Sequence, residues 1–189
     1  PEAEYLTEGI TESLINSLSQ LPNFRVIART TAFRYKGREV DPQKVGRELR
    51  VRVVLTGRVT QRGDSLRIQA DLVDAVEGSQ LWGQQYNRRL SDIFAVQEEI
   101  AREISEKLRL KLTGEEKQRL TKRYTENTEA YEYYFKGRYY WNRRTPKALQ
   151  DAIEHFQRAI EKDPHYSLAY AGLADSYNVL PEYASVPPK

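Results

Sequence analysis

From Asp151 to Pro164 the chain reads Asp-Ala-Ile-Glu-His-Phe-Gln-Arg-Ala-Ile-Glu-Lys-Asp-Pro, and no other stretch restricts the fold as much. Ala152, Ile153, Phe156, Ala159 and Ile160 recur at helical spacing on one face. Ala152 and Ala159 have no bulk, so a neighbouring backbone can come close, and Phe156 between them is the knob that fills the space. Pro164 lacks an amide proton and disfavours helix at Asp163, so the helix stops there. A second helix is predicted to start at once, from Ser167 to about Val179, and to end before Pro181. Tyr170, Leu173, Ala174 and Tyr177 share its face. Two short helices with small-large-small faces and a proline stop describe a helical-hairpin repeat, a surface that binds protein and carries no chemistry.

At 189 residues there is room for one large domain or two small ones. Hydrophobic residues make up 39% and charged residues 30%, a balance that suits small units or an elongated repeat. The net charge of +3 is mild and the basic residues are interleaved with acidic ones, which argues against a nucleic-acid face. The absence of cysteine removes disulfides, thiolate catalysis and cysteine zinc sites. No apolar run approaches the roughly 20 residues of a membrane helix, and no signal peptide is seen. The chain begins at Pro1 and has no methionine, which reads as a piece of a longer protein whose targeting or membrane segments would lie outside it.

The order of elements predicts α+β: helices packed on an antiparallel-rich sheet, followed by an all-α helical-hairpin region. Residues 3–20 read as an amphipathic helix through Leu6, Ile10, Leu14 and Leu18. Phe24 to Arg29 reads as a short strand, and residues 30–37 as a loop or a single helical turn. Asp41-Pro42 starts a helix, with Asp as N-cap and Pro at the first helical position. Three strands follow, Arg52 to Gln61, Leu66 to Asp74 and Gln80 to Arg88. They are joined by the turns Arg62-Gly63-Asp64 and Asp74-Ala75-Val76-Glu77-Gly78 into a meander apolar on one face. Ser91 then caps a helix through about Leu112, with Ile93, Val96, Ile100, Ile104 and Leu108 as its stripe. Residues 113–126 read as a charged helical connector. Residues 127–180 hold the repeats, opening with an aromatic helix from about Thr128 to Asn142, and 181–189 form an extended tail.

The second region resembles the tetratricopeptide repeat, a helix-turn-helix of about 34 residues. Ala152, Phe156, Ala159 and Pro164 match its second helix and turn, and Gly137 and Tyr140 match its first helix. The spacing from Gly137 to Ala152 is about three residues longer than the repeat pattern, so the loop around Arg144-Thr145-Pro146 is extended. Tyr170, Leu173, Ala174 and Tyr177 open a second repeat whose return helix is missing, giving one and a half repeats.

Residues 1–112 resemble the TolB-like amino-terminal domain of large bacterial signalling proteins. The resemblance is carried by Tyr5-Leu6-Thr7-Glu8-Gly9-Ile10-Thr11-Glu12, Val26-Ile27-Ala28-Arg29-Thr30, Gly46-Arg47-Glu48-Leu49 and Val54-Leu55-Thr56-Gly57-Arg58-Val59. It continues through residues 66–74, Leu81-Trp82, Tyr86-Asn87-Arg88 and residues 92–100. Such domains followed by tetratricopeptide repeats resemble the carboxy-terminal parts of bacterial serine/threonine kinases, the favoured parent here, and of adenylate cyclases and winged-helix regulators. In the kinase-type arrangement a membrane helix would precede this part, on either the cytoplasmic or the periplasmic face.

No catalytic, metal or cofactor-binding residue is assigned. His155 and His165 are the two imidazoles, and neither has metal-ligand or Ser/His/Asp spacing around it, so both read as surface or packing residues. Glu98-Glu99 and Glu115-Glu116 are adjacent on helices and do not face each other. The seven rings between Tyr131 and Trp141, with Lys136, Arg138, Arg143 and Arg144 beside them, read as a largely buried helix with some rings exposed for an acidic peptide. The expected function is regulatory protein–protein interaction, with Tyr139, Arg143, Arg144, Tyr170, Tyr177 and Asn178 as partner-binding candidates and self-association through the truncated repeats as a further outcome. Regulation of an attached kinase or cyclase by a small ligand on the α+β domain is one alternative, and a nucleic-acid-binding accessory domain, which the charge balance disfavours, is the other.

Overall fold

The computed structural model describes residues 4–21, 24–108, 113–115, 118 and 123–184. The fold is α+β, with seven α-helices and one three-stranded antiparallel sheet among the described residues. Contacts divide the chain into a sheet unit, Ile10–Lys122, and a helical unit, Pro1–Gly9 with Arg123–Lys189. Helix α1, Glu4–Ser19, supplies its residues through Gly9 to the helical unit and the remainder to the sheet unit. The sequence pattern assigns all of this helix to the first domain.

In the sheet unit, β1 (Val53–Arg62), β2 (Ser65–Asp74) and β3 (Gln80–Arg89) pair in the order β1-β2-β3. The first turn is tight because Arg62 pairs with Ser65 and Gly63 takes the left-handed conformation, φ +55°. The second is closed by Asp74, whose Oδ1 accepts from the backbone N–H groups of Val76 and Glu77 at 2.9 and 3.2 Å. Those two bonds, with the Arg52 guanidinium beside the same carboxylate, hold Asp74 below the usual carboxylate range. Alternation puts Leu66, Ile68, Ala70 and Leu72 on the buried face, while Arg67 and Gln69 face solvent, as expected for a sheet covered on one side.

Helix α2, Arg29–Ala32, is followed by a 3-10 turn, Phe33–Tyr35, so the helical-turn option holds for this loop. Helix α3, Pro42–Leu49, has the expected cap: Asp41 Oδ1 accepts from the Gln43 N–H at 2.9 Å. It packs on β1 and β2. Helix α4, Ile93–Lys107, buries Ile93, Val96, Ile100 and Ile104 and packs on β3. Burial of each such side chain contributes about 1.5–3 kcal/mol.

Two local expectations for this unit are corrected. Residues 24–28 form no strand, because Val26 and Ile27, though half-buried, meet no ladder, and α2 already begins at Arg29. β-propensity alone does not make a strand without a neighbour. Ser91 does not cap α4: it lies within a 3-10 turn, Leu90–Asp92, and the entry is closed by the Asp92 carboxylate accepting from the Arg89 N–H at 3.4 Å. The predicted end of α4 at residues 109–112 and most of the connector lie outside the described residues.

In the helical unit, α5 (Thr128–Trp141), α6 (Pro146–Lys162) and α7 (Ser167–Ala184) follow one another. Asn127 caps α5 by accepting from the Ala130 N–H at 3.0 Å, and its amide donates to the Lys162 carbonyl at 2.9 Å. Thr145 caps α6 through the Ala148 N–H at 3.2 Å, with Pro146 at the first helical position. Ala152, Phe156 and Ala159 are fully buried. The Phe156 ring lies between two glycines: a Cβ added at Gly137 or at Gly172 would come 2.6 Å from it. Tyr134 and Tyr166 complete this cluster, with ring centroids 5.8 and 5.1 Å from Phe156 and from each other respectively. On the other side of α5, a Cβ at Gly9 would meet the Phe135 ring at 2.5 Å, and Tyr5 donates to Glu132 Oε1 at 2.8 Å.

Pro164 ends α6 as predicted, but Pro181 does not end α7, which continues to Ala184. A proline removes one ladder hydrogen bond without forbidding the following turn, and this one lies exposed within the last four residues of the helix. The predicted tail is therefore helical through Ala184, and residues 185–189 lie outside the described set.

Candidate interaction surfaces

The six partner-binding candidates occupy two settings. Tyr139, Arg143 and Arg144 belong to the end of α5 and the turn after it. Tyr170, Tyr177 and Asn178 lie on α7.

At the α5–α6 turn, cations lie on aromatic faces. The Arg144 guanidinium sits 3.6 Å from the Trp141 ring centroid, with Arg138 at 4.9 Å from the same ring. Arg143 lies 4.3 Å from the Tyr139 centroid and its guanidinium donates to the Tyr139 hydroxyl. That hydroxyl donates in turn to Glu4 Oε2 at 2.8 Å. Arg144 adopts φ +52°, the left-handed region that normally favours glycine or asparagine. Lys136 pairs with Glu132 at 2.5 Å and Lys147 with Asp151 at 3.3 Å.

The expectation that some of the seven rings between Tyr131 and Trp141 stand exposed is corrected. Tyr131, Tyr134 and Phe135 are buried, and Tyr133, Tyr139, Tyr140 and Trp141 are half-buried. Arginine, lysine and histidine side chains cover the latter rings and supply contacts of the cation–π kind. His155 is part of this cover. It stacks on Tyr140 at 5.2 Å with 10° between the planes, and on Tyr133 at 6.0 Å. Burial, then the nearby Lys136 charge, lowers its pKa from the ordinary histidine value, with Arg158 acting in the same direction and Glu154 and Asp151 opposing.

On α7, Tyr170 and Tyr177 are among the exposed large hydrophobic side chains, at 48% and 52%. Asn178 and Ala174 are also exposed, and Leu173 is half-buried. Tyr177 accepts a hydrogen bond from the Gln157 amide at 3.4 Å. Gly137 and Tyr140, at matching places on α5, are instead covered by Phe156 and His155 of α6. Pro164 is exposed in the turn between α6 and α7.

The sheet unit holds three polar features of its own. The Trp82 indole N–H donates to Glu103 Oε2 at 2.7 Å. Glu12 and Arg29 form an ion pair at 3.0 Å, both mostly buried, and Arg29 also lies over the Phe33 ring. Tyr86 is 2% exposed, and its hydroxyl has no hydrogen-bond partner among the described residues. Burial, with Glu103 and Glu99 nearby, pushes the Tyr86 phenol well above its ordinary range. No group of three or more metal-ligating side chains occurs among the described residues. No described helix is long and apolar enough to cross a membrane.

No protein-family profile matches the chain. A Rhizobium meliloti (strain 1021) protein named "Putative adenylate cyclase 3" is 40% identical to it over 174 residues. The alignment takes in 92% of this chain and 30% of that relative, so the chain spans under a third of the relative's length. The similarity associates the chain with a cyclase-named protein, whereas the sequence alone favours a kinase parent.

The cation cover was the feature sequence reading missed. Its signal is nonetheless local, since Arg143 follows Tyr139 by four residues and Arg144 follows Trp141 by three, although both arginines lie in the turn beyond the end of α5. His155 carries no such mark, because its partners sit on a different helix.

Proposed function

We propose that this chain is a non-catalytic regulatory segment of a longer bacterial signalling protein of the adenylate-cyclase type, acting through protein–protein contact. In this reading the sheet unit with most of α1 is a TolB-like domain and α5–α7 are the opening of a tetratricopeptide-type array. The similarity to a cyclase-named relative along nearly the whole chain supports the signalling context. The observation that carries the interaction role is the bare α7 face. Tyr170 and Tyr177 stand about two helical turns apart and exposed, and tyrosines so placed offer large contact area at low entropic cost.

Two measurements test this. The purified chain is expected to make no cyclic AMP from ATP, and formation of cyclic AMP would overturn the non-catalytic role. In the full-length parent, Tyr170→Ala, Tyr177→Ala and Asn178→Ala together are expected to leave nucleotide turnover intact and to reduce partner co-purification by about tenfold, a loss typical of truncating an interface anchor. Unchanged co-purification, with loss on substitutions in the sheet unit, would move the role there.

A further inference from the structure

We propose that the α5–α6 turn is a docking point for a carboxylate-rich peptide segment, which Arg143 and Arg144 hold through their guanidinium edges. The proposal rests on the protein-interaction reading above and names the chemistry of a partner at a surface separate from the α7 face.

The charge is one-sided. From Tyr133 to Gln150 the chain carries Lys136, Arg138, Arg143, Arg144 and Lys147 and no aspartate or glutamate. Lys136 and Lys147 are already paired, to Glu132 and Asp151. Arg144 has no ion-pair partner among the described residues, and Arg143 is engaged by the neutral hydroxyl of Tyr139. Both guanidiniums lie over rings, at 3.6 Å from Trp141 and 4.3 Å from Tyr139. Stacking uses the face of the guanidinium and leaves for a carboxylate the in-plane N–H donors of Arg144 and those of Arg143 that the Tyr139 hydroxyl does not take. The side chains are thereby pre-ordered, which lowers the entropic cost of binding. Arg144 occupies a left-handed backbone position where a glycine would sit without strain.

The rings select among anionic partners. Single-stranded nucleic acid binds by stacking bases on open aromatic faces. Here Trp141 lies under Arg144, Tyr139 under Arg143, and Tyr140 against His155. With those faces occupied, what the patch offers is charge and in-plane donors. A carboxylate already sits at its margin, since Glu4 accepts from the Tyr139 hydroxyl that Arg143 contacts.

The test is fluorescence anisotropy of the whole chain with fluorescein-labelled octaglutamate, and with labelled oligothymidylate of twelve nucleotides as the competing class. Octaglutamate is expected to bind at low salt and to weaken as salt rises, because the contacts are ionic. Arg144→Gln should lower affinity about tenfold and the Arg143→Gln/Arg144→Gln pair to background, the scale of losing one or two charge-assisted contacts. Arg144→Lys, which keeps charge but loses the planar fork, should fall between wild type and Arg144→Gln. Lys147→Gln should change affinity less than about twofold, as expected for an exposed, already paired lysine. Circular dichroism of each variant checks that it is folded. Absence of octaglutamate binding, equal binding by the arginine pair variant, or tighter binding of oligothymidylate would overturn the proposal. The Tyr170→Ala/Tyr177→Ala variant should still bind octaglutamate. Failure of the wild-type chain to bind octaglutamate, while the α7 substitutions still reduce co-purification of the parent's partner, would therefore sink this proposal alone.

Discussion

The two units fill their interiors by different rules. In the sheet unit Trp82, Tyr86 and Phe94 are buried, but the most fully buried large side chains are branched aliphatics, among them Leu66, Ile68 and Leu72 on β2 and Ile93, Val96, Ile100 and Ile104 on α4. Each fills part of a shared layer. In the helical unit one ring, Phe156, fills the space between two helices from a third, and both neighbours meet it with a glycine. The first arrangement distributes volume. The second concentrates it, and depends on residues that have no side chain at all.

Each unit contains one of the chain's two tryptophans, Trp82 and Trp141, so Trp82→Phe and Trp141→Phe leave single reporters for separate urea titrations. The largest effect is expected from Phe156→Ala, about 3–5 kcal/mol of stability lost, read from Trp141. A loss below that of Ile104→Val, about 0.5–1.5 kcal/mol read from Trp82, would erase the contrast. Next comes Gly172→Ala, which adds one methyl against Phe156 and should cost about 1–3 kcal/mol by overpacking. If it matches wild type, the ring is not confined as described.

Smaller and opposite in sign is Tyr86→Phe in the sheet unit. It removes a buried hydroxyl that lacks a partner and should stabilise by about 1 kcal/mol. A loss of stability would reveal an acceptor for that hydroxyl. The smallest effect is the pH response of the helical unit. His155 has a folded pKa lowered from 6.5, so the unfolded chain binds the proton more readily. Its contribution is present above pH 6.5 and declines as pH falls from there through the folded value. Titrations read from Trp141 at pH 7.5 and 5.5 should show this decline, and His155→Gln should flatten it. An unchanged slope in His155→Gln would assign the response to other groups.

Much of the fold was legible because its signals are local. The alternation of Leu66, Ile68, Ala70 and Leu72 defines a one-sided strand, and Asp41-Pro42 defines a helix start, without reference to anything distant. The failures share a dependence on context. Val26-Ile27 has strand character but no neighbouring ladder. Pro181 has the local mark of a helix stop, yet losing one bond near an exposed helix end leaves the next residues free to continue. The joining of Glu4–Gly9 to α5 rests on Gly9 meeting Phe135 and Tyr5 meeting Glu132, pairs more than a hundred residues apart. Of the six partner-binding candidates, the sequence names the residues but does not distinguish their settings. Tyr170 and Tyr177 stand open, while Tyr139 is covered by Arg143, and only packing distinguishes the two.

The Phe156 ring has one more consequence. Because Gly137, Phe156 and Gly172 stand on three consecutive helices, a single side chain acts as an indexing pin for all three. Sliding α7 by one turn would bring Leu168 or Ser176, rather than a glycine, to the ring. Rotation about its axis is barred in the same way. The direction in which Tyr170 and Tyr177 point is thus set by a residue that neither of them needs to touch. A partner helix would find those two rings at one height and one angle, as a key finds its tumblers.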